Sequence, residues 1–367
     1  MFKIKNKNLV SLGLVAGAVG VIGCSNTVQE KQMQAGDVVL PAMAYDLSYW
    51  KITVPLDDNK DGKVDEVDTK ALQKYMHSDY FYVNSEGGLV FATPNKATTT
   101  SGSSNSRSEL RQMIRGTNTR IGTKAPGNNF ALASHPQAKA FGDIGGNLKA
   151  TLAVNHVALN AKYTDKFPAY SVVVGQIHAG KDKDLIAKVE GYGWGNEPIK
   201  IYYKKWPDHK MGSVFWTYER NLEKENPDRT DIAYPVWGNT WDNSENPGDK
   251  GIALDESFSY EINVYKDIMH LTFTAANKPT VKYSINLANN VNAYGKVDEK
   301  DHPKGYLGDW LYFKAGAYDQ CSVKDDPGFW YPACAGTGDW ETDKKNGDYT
   351  RVTFTKLELG KGYSVSK

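Results

Sequence analysis

Short runs of β-branched and aromatic residues, separated by Gly, Asn, Asp and Pro, dominate the chain from Tyr45 onward. The clearest runs are residues 148–157, 170–178, 198–203, 258–265, 270–274 and 350–359. Such runs are typical of strands bounded by turns, and helical periodicity is weak outside residues 69–76. Many strands without intervening helices predict an all-β fold, either a sandwich of antiparallel sheets or a jelly roll.

Composition and length favour one globular domain over residues 45–367. Of the 367 residues 40% are hydrophobic and 24% charged, so a sizeable core is available. No repeat or linker divides residues 45–360, and we interpret the polar, turn-rich segment 221–250 as a loop over one face. A net charge of only +1 argues against a nucleic-acid partner.

The first residues resemble an export signal. Lys3, Lys5 and Lys7 precede an apolar stretch of about 14 residues, shorter than the roughly 20 that a spanning helix needs. The stretch ends in Val-Ile-Gly-Cys24, which resembles a bacterial lipobox. We therefore expect a signal peptide at 1–23, a lipidated Cys24, a tether at 24–44, and an outer-membrane lipoprotein facing the periplasm or the cell surface. A plain secretory signal with an incidental cysteine is the alternative.

Two further cysteines, Cys321 and Cys334, flank a short Pro- and Gly-containing segment. In an exported protein a disulfide between them is the natural prediction, and on the loop-entropy model it would stabilise the fold by roughly 3 kcal/mol. Two free thiols are the alternative.

Three strand-like segments place polar side chains at alternate positions, and therefore on one face of a strand. The polar members are Arg107, Glu109 and Arg111; Gln176 and His178; and Tyr312, Lys314, Tyr318 and Gln320. The opposite positions hold Leu110, Ile177, Phe313, Ala315 and Ala317, a suitable core-facing set, with Gly316 leaving room among the polar groups. If the three strands are neighbours, one face gathers cations, amides and hydroxyls suited to a chain of carboxylates.

Each segment has an ordinary structural interpretation when it is taken alone. Alternating Arg and Glu on a strand usually form a solvated ion-pair ladder, and a His beside a Gln is usually a hydrogen-bonded structural residue. The three segments together, in this order, resemble polysaccharide lyase family 7, the alginate lyases. The resemblance rests on residues 107–111 (Arg-Ser-Glu-Leu-Arg), 176–178 (Gln-Ile-His) and 312–320 (Tyr-Phe-Lys-Ala-Gly-Ala-Tyr-Asp-Gln). It implies a β-jelly roll of two curved antiparallel sheets with the substrate on the concave face.

The resemblance also implies a reaction. Alginate carries a carboxylate on C5 of every sugar, and a lyase removes the C5 proton and expels the C4 oxygen, leaving an unsaturated uronate. Donors must neutralise that carboxylate and the enediolate that develops, and the resemblance assigns this task to Arg107, Gln176 and His178. Tyr318 is expected as base and then acid, with His178 as an alternative base for guluronate.

The remaining expectations from the resemblance concern substrate. The residues expected to bind the substrate or to orient the catalytic groups are Glu109, Arg111, Lys314, Tyr312 and Gln320. Ile177 between Gln and His favours guluronate-containing stretches. No cofactor is expected for catalysis, and the partner of the chain, which we expect to be a monomer, is the anionic polysaccharide.

Residues 57–68 follow the spacing of a calcium loop, with oxygen-bearing side chains at Asp57, Asn59, Asp61, Asp65 and Asp68 and a glycine at position 6. Asp in place of Glu at the last position departs from the pattern, and a solvated acidic turn is the alternative. A bound calcium would be structural.

Three rival functions remain open. A non-catalytic carbohydrate-binding lipoprotein could use Trp194, Trp237 and Trp241. A glycoside hydrolase needs a pair of carboxylic acids, for which no strand-borne motif is present. A lyase acting on another polyuronate, such as glucuronan, is the nearest alternative. Ultraviolet absorbance of the product separates lyases from hydrolases.

Overall fold

Strands, nearly all paired antiparallel, are the main regular element of residues 39–188 and 192–365, the part of the chain that the computed structural model describes. The strands are β1 (Trp50–Thr53), β2 (Glu66–Val67), β3 (Phe81–Val83), β4 (Leu89–Pro94), β5 (Asn105–Gln112), β6 (Phe130–Ala131), β7 (Asp143–Ile144), β8 (Gly146–His156), β9 (Ser171–Gly180), β10 (Ile199–Lys204), β11 (Met211–Glu219), β12 (Asp231–Trp237), β13 (Ile252–Ala253), β14 (Phe258–Tyr265), β15 (Ile268–Ala275), β16 (Val281–Asn286), β17 (Trp310–Ser322) and β18 (Tyr349–Gly360). The helices are short: α1 (Pro41–Ala44), α2 (Thr69–Leu72), α3 (Lys183–Ile186) and α4 (Trp340–Asn346), with 3₁₀ turns at Pro126–Asn128, Ala138–Ala140 and Gly248–Lys250.

The strands form two sheets. The larger follows the order β12-β11-β10-β9-β17-β5-β1-β2, with β13, β6 and β7 attached, and the smaller follows β16-β15-β14-β8-β18-β4-β3. Neighbours such as β17 and β9 are far apart in sequence, so the sheets are built from long-range pairings. The two sheets confirm the predicted jelly roll.

The core lies between the two sheets. Phe313 and Ile177 of the larger sheet belong to the same buried cluster as Phe91 and Phe354 of the smaller one. Tyr260 also crosses from the smaller sheet, and its hydroxyl donates to the Val174 carbonyl at 3.0 Å. Burial of apolar side chains on one face of each strand leaves the other face of the larger sheet for polar groups; we call this second face the outer face.

The predicted strands match the observed ones closely, because alternating polarity and β-branched residues favour strand structure through local interactions. Residues 258–265 are β14 itself, and the other five predicted runs overlap β8, β9, β10, β15 and β18 within three residues at each end. The predicted helix at 69–76 is reduced to α2, which begins after Asp68. The prediction of a loop over 221–250 was wrong in part, because β12 pairs with β11 inside that segment.

The compact unit begins at Val39, a few residues before the expected domain start at 45. Pro41, in the range expected to be tether, is buried in α1. The expected signal peptide and Cys24 lie outside the described residues. Within residues 39–188 and 192–365, none of the helices is both long and apolar enough to cross a bilayer.

Candidate active site

Strand order brings the three polar segments together. β17 lies between β5 and β9, and Lys314 is the register partner of both Arg111 and Gln176. Tyr312 pairs with His178, and Tyr318 pairs with Arg107. The expected core-facing set, Leu110, Ile177, Phe313, Ala315 and Ala317, is fully buried between the sheets. The prediction that these strands are neighbours with one polar face is therefore confirmed.

Glu109 is the centre of the polar cluster. Its carboxylate lies 3.1 Å from Arg107 Nη1, accepts from Gln176 Nε2 at 2.5 Å and forms an ion pair with Lys314. All four side chains are buried. One carboxylate between two cations leaves a surplus positive charge, which is a suitable environment for a second carboxylate.

Burial by itself would raise the pKa of Glu109, but Lys314 and Arg107 outweigh burial and lower it. Burial lowers the pKa of Lys314 to about 8; Glu109 opposes this change and Arg107 adds to it. Both groups are therefore charged at neutral pH.

Tyr318 lies under the Arg107 guanidinium, 3.9 Å from ring centroid to Cζ. Its hydroxyl lies 3.2 Å from Ser103 Oγ, and Ser103 also accepts from Arg107 Nη2 at 2.8 Å. Lys314 Nζ is 5.9 Å from the ring centroid. Ser103 was not predicted, because it lies in a Ser- and Thr-rich stretch with no distinguishing spacing.

His178 has a partner on each ring nitrogen. Nδ1 lies 2.6 Å from the Ala179 carbonyl oxygen, and Nε2 lies 3.0 Å from Glu197 Oε1. One face of the ring stacks on Tyr312 at 5.3 Å. Loss of hydration, and secondly the charge of Lys314, lower the pKa of His178. Glu197 was also missed by the sequence prediction, although it lies just before a predicted strand.

Arg111 is held by the protein rather than directed at solvent. Its guanidinium donates to the carbonyls of Gln112 and Thr123 and to Asn129 Oδ1, at 2.6, 3.0 and 2.6 Å. It also lies 4.0 Å from the Tyr312 ring centroid. The geometry makes Arg111 a support for Tyr312 and for the loop that carries Asn129; of the two expected roles, substrate binding and orientation, these contacts favour orientation.

Gln320 is also held by the protein. Its Nε2 donates to the carbonyls of Tyr318 and Asp319, and the side chain is 1% exposed. It therefore braces the end of β17. Gly316 has φ +145°, and a Cβ there would lie 2.5 Å from the Ser108 carbonyl oxygen. The glycine is required by its backbone conformation and close packing, and not by the need for space between polar side chains.

Known proteins with this arrangement identify the family. The family model described as alginate lyase matches residues 45–361. The chain is 33% identical over 333 residues to an alginate lyase of Klebsiella pneumoniae, covering 89% of this chain and 92% of that protein. The chain belongs to the alginate lyase family.

Two crystal structures of alginate lyases support the same conclusion. The Klebsiella pneumoniae enzyme has a TM-score of 0.67 and 29% identity over 88% of this chain and 99% of its own. The exolytic PL7 alginate lyase of Zobellia galactanivorans has a TM-score of 0.68 and 32% identity over 89% and 99%. This chain is thus a polysaccharide lyase that acts on alginate, as the sequence motifs predicted.

The predicted disulfide of this alginate lyase is present, and it joins Cys321 to Cys334 with Cα atoms 5.4 Å apart. It closes a loop, residues 322–333, which we call the disulfide loop. Lys166 Nζ donates to the carbonyls of Pro327 and Phe329 at 2.6 and 2.7 Å, so the loop is fastened to a neighbouring arm of the chain.

Aromatic rings cover the outer face beside Tyr318. Tyr202 of β10 stacks on Phe215 of β11 at 5.2 Å, and the edge of Trp241 packs on both rings. Phe167 and Trp330 then pack on Trp241 at 5.8 and 5.7 Å. We call Phe167, Trp241 and Trp330 the aromatic cap. Trp237 and Trp241 are 3% and 6% exposed, which removes two of the three tryptophans proposed for a lectin-like surface.

The acidic loop at 57–68 uses its side chains on its own backbone. Asp57 accepts from Asp61 N and Gly62 N, Asn59 from Asp61 N, Asp61 from Lys63 N, and Asp65 from Asp58 N. Asp68 is the N-cap of α2. Among the described residues no three His, Cys, Asp or Glu side chains are grouped to hold a metal ion. Calcium binding by this loop stays a prediction from the sequence.

Proposed function

We propose that this alginate lyase cleaves the 1,4-glycosidic bond by β-elimination, with Tyr318 removing the C5 proton and then protonating the C4 oxygen as it leaves. The observation that carries the proposal is the Tyr318 hydroxyl, whose partner Ser103 is a neutral hydroxyl that can turn away when substrate binds. Arg107 Cζ and Lys314 Nζ lie 3.9 and 5.9 Å from the centroid of its ring, so both cations are close to the reacting group. The C5–H electron pair forms the C4–C5 double bond as the C4–O bond breaks, so one tyrosine balances the proton.

The substrate carboxylate must be neutralised before C5 can lose its proton. Arg107 and Lys314 share a single carboxylate, Glu109, so their combined charge exceeds that of their partner. Gln176 adds a fixed amide that Glu109 orients. Preorganised donors of this kind, inside a site that excludes water, stabilise an enediolate more than they stabilise the substrate.

His178 supports this assignment of the base to Tyr318, because both its ring nitrogens are already paired. To act as the base for guluronate, Nε2 would have to leave Glu197. The guluronate preference expected from Ile177 is indirect, since that side chain is fully buried between the sheets. We keep guluronate-containing stretches as the proposed substrate preference.

The first experiment follows ultraviolet absorbance on separate polyguluronate and polymannuronate, using the chain without residues 1–24 and its Tyr318→Phe and His178→Ala variants. Tyr318→Phe should abolish the rise on both polymers. A loss in His178→Ala confined to polyguluronate would instead make His178 the base there. A folded wild-type protein that gives a flat trace on alginate but cleaves glucuronan would overturn the alginate assignment.

We further propose that cleavage is exolytic, because one end of the outer face is closed. Val173, Tyr202 and Phe215 are register neighbours in line with Tyr318 on successive strands, and all are buried beneath the aromatic cap. An open groove for a long polymer would leave these positions exposed to solvent. The similar Zobellia galactanivorans enzyme is described as exolytic.

The distribution of charged side chains also favours exolytic cleavage. The catalytic side carries Arg107, Arg111 and Lys314 against Glu109. Under the closed side, Glu197, Glu219 and Asp231 outnumber Lys200 and Arg229. A polyanion is attracted to the first, whereas the second offers it no surplus cation, so a chain end should stop near Tyr318.

The size of early products tests this proposal. Exolysis predicts short products from the first minutes with a slow fall in viscosity. Trp330→Ala, which removes a ring that is 42% exposed, should lengthen the products, whereas Tyr294→Ala, a similarly exposed ring at 60%, should not. Long oligomers from wild-type protein at early times would contradict a closed end.

We also propose that the protein is anchored in the outer membrane through lipidated Cys24, a position outside the described residues. The support is the lipobox-like Val-Ile-Gly-Cys sequence. Radiolabelled palmitate should enter the full chain and not Cys24→Ala, and the variant should leave the membrane fraction. Unlabelled, membrane-free full-length protein would contradict the anchor.

A further inference from the structure

Glu197 links His178 to a second buried ionic cluster. It lies two residues before β10, and its Oε1 contacts His178 Nε2 at 3.0 Å. Its backbone N–H donates to Glu219 Oε2 at 3.2 Å, which holds the two carboxyl groups close together. Glu197 therefore touches both the active site and the interior of the covered end.

Hydrogen-bond chemistry requires one proton between His178 and Glu197. The Ala179 carbonyl can only accept, so His178 Nδ1 must carry a hydrogen at 2.6 Å from that oxygen. In neutral imidazole Nε2 is then a lone pair, and it cannot face an ionised carboxylate oxygen at 3.0 Å without repulsion. Either Nε2 or Glu197 must hold a proton.

The charge balance of the second cluster leads to the same conclusion. Lys200 Nζ lies 3.7, 3.6 and 3.1 Å from the carboxylates of Glu197, Glu219 and Asp231, and Arg229 lies 2.7 Å from Glu219. Three carboxyl groups face two cations, and the side chains of Lys200, Glu219 and Asp231 are less than 10% exposed. An uncompensated buried charge is costly, so a proton is retained.

The pKa directions of these groups place a retained proton next to Glu197, on Glu219. Burial, and secondly Glu197, raise the pKa of Glu219 to about 7. Burial would raise the pKa of Glu197 as well, but Lys200 and the hydrogen bond with Glu219 lower it. A proton is therefore retained near neutral pH on the Glu219–Glu197 carboxyl pair, and the contact between Glu197 and His178 Nε2 brings the ring within reach of it.

Other charged groups face His178 from the packed strands. Lys314 and Arg107 disfavour the imidazolium, and Glu109 favours it. Tyr312, stacked on the ring, has a pKa raised to about 12 and stays neutral. Tyr202 and Tyr331, next to Lys200, have pKa values raised by burial and are neutral too. Glu219, with a pKa of about 7, and Lys314, with a pKa of about 8, are thus the groups near His178 that exchange a proton near neutral pH.

We propose that Glu197 is a positioning residue for the lyase reaction: it holds the His178 ring through Nε2 by a shared proton. Glu219 and Lys200, which are buried beside Glu197, keep that proton in the cluster. The catalytic contribution rests on the proposed elimination at Tyr318. With Nδ1 on Ala179 and Nε2 on Glu197, the ring has one orientation, stacked on Tyr312 and beside Lys314. Loss of either anchor would let it rotate in the substrate site.

Glu197→Gln is the decisive variant, because its amide can still donate to Nε2 but cannot share or release a proton. We expect kcat to fall about ten-fold with KM little changed, and the wild-type change of kcat with pH around 7 to flatten. Glu223→Gln, an exposed acid near the same strands, is the matched control and should behave as wild type. Glu197→Ala should lower kcat further, since the ring then loses its Nε2 anchor.

Nitrogen-15 NMR of His178 separates this proposal from the elimination mechanism, because it needs no turnover. Wild-type Nε2 should shift with pH around 7, and in Glu197→Gln it should not. If wild type cleaves no alginate but Nε2 shows this coupling, the proposed reaction fails while the Glu197 assignment stands. An unchanged kcat and pH profile in a folded Glu197→Gln, or an Nε2 shift indifferent to the substitution, would overturn it.

Discussion

The outer face of the larger sheet has two halves, and the buried charges in each leave a surplus of opposite sign. In the catalytic half, on β5, β17 and β9, Glu109 is shared by Arg107, Lys314 and Gln176. In the covered half, on β10 to β12, Lys200 is shared by three carboxyl groups. The first half has a cation to spare and can accept the carboxylate of a substrate. The second has a carboxylate to spare and must hold a proton.

The comparison shows why similar residue types have different roles in two adjacent halves of one sheet. Both halves contain buried Lys, Glu and aromatic side chains on neighbouring strands. The sign of the surplus charge and the presence of a cover decide whether a polyanion can bind. Three variants test this difference, from the largest expected effect to the smallest.

Glu109→Gln should be the most damaging, because it leaves Arg107 and Lys314 buried beside each other without a counter-charge. We expect the free energy of unfolding to fall by about 3 kcal/mol and kcat to fall with it, since Lys314 loses its fixed position. Urea denaturation and rates on alginate measure both. Glu66→Gln is the control; its carboxylate pairs with Lys51 at 2.7 Å but is half exposed, so less than about 1 kcal/mol should be lost. Equal losses in both variants would show that burial of the Glu109 cluster carries no special cost.

Replacing Cys321 and Cys334 together by serine should weaken the covered half selectively. The bridge spans 13 positions of sequence, and its loss should lower the free energy of unfolding by roughly 3 kcal/mol, or less if the unfolded chain is compact. Because the disulfide loop carries Trp330 of the aromatic cap, early products should lengthen while the initial rate changes less. Wild-type enzyme treated with a reductant should behave as the variant does. Unchanged product length in a destabilised variant would separate the disulfide from the closure of the groove.

Glu219→Gln should have the smallest effect on stability and the clearest effect on its pH dependence. The pKa of Glu219 is raised from 4.5 to about 7 in the folded protein, so between these values the folded state binds a proton that the unfolded state has released. Stability of the wild type should therefore fall as pH rises through this window, by up to about 1.4 kcal/mol per pH unit. The amide removes this slope and should stabilise the protein at pH 8 relative to wild type. A slope that persists in the variant, measured by urea denaturation at several pH values, would assign the proton elsewhere.

Local pattern was sufficient for the strands and for the catalytic half. Alternation on β17 placed Phe313, Ala315 and Ala317 inside and Tyr312, Lys314 and Tyr318 outside, because the side-chain period of a strand is two. Prediction from local pattern failed where the strand is irregular or where a contacting residue lies far away in sequence. Gly316 marks a shift of register between β17 and β9, and beyond it Gln320 turns back onto its own strand.

The prediction for residues 221–250 was wrong in part for a different reason. Polar turn residues dominate the segment, but the pairing of β12 with β11 stabilises a strand that the segment would not form alone. Trp241, whose surroundings were expected to be solvent, is buried because Phe167 and Trp330 come from distant parts of the chain.

The sequence by itself determined the β-sandwich, the disulfide pair and the identity of the residues around Glu109, since strand alternation and three motifs in order are local properties of the chain. Only the tertiary structure decided that Arg111 and Gln320 serve as supports, that Glu197 reaches His178, and that one end of the outer face is closed. Gln320 turns back only because its strand is irregular, whereas the contacts of Glu197 and of the aromatic cap join strands and loops more than a dozen residues apart. The loss of hydration that sets the charges of these groups exists only once the sheets and loops have packed.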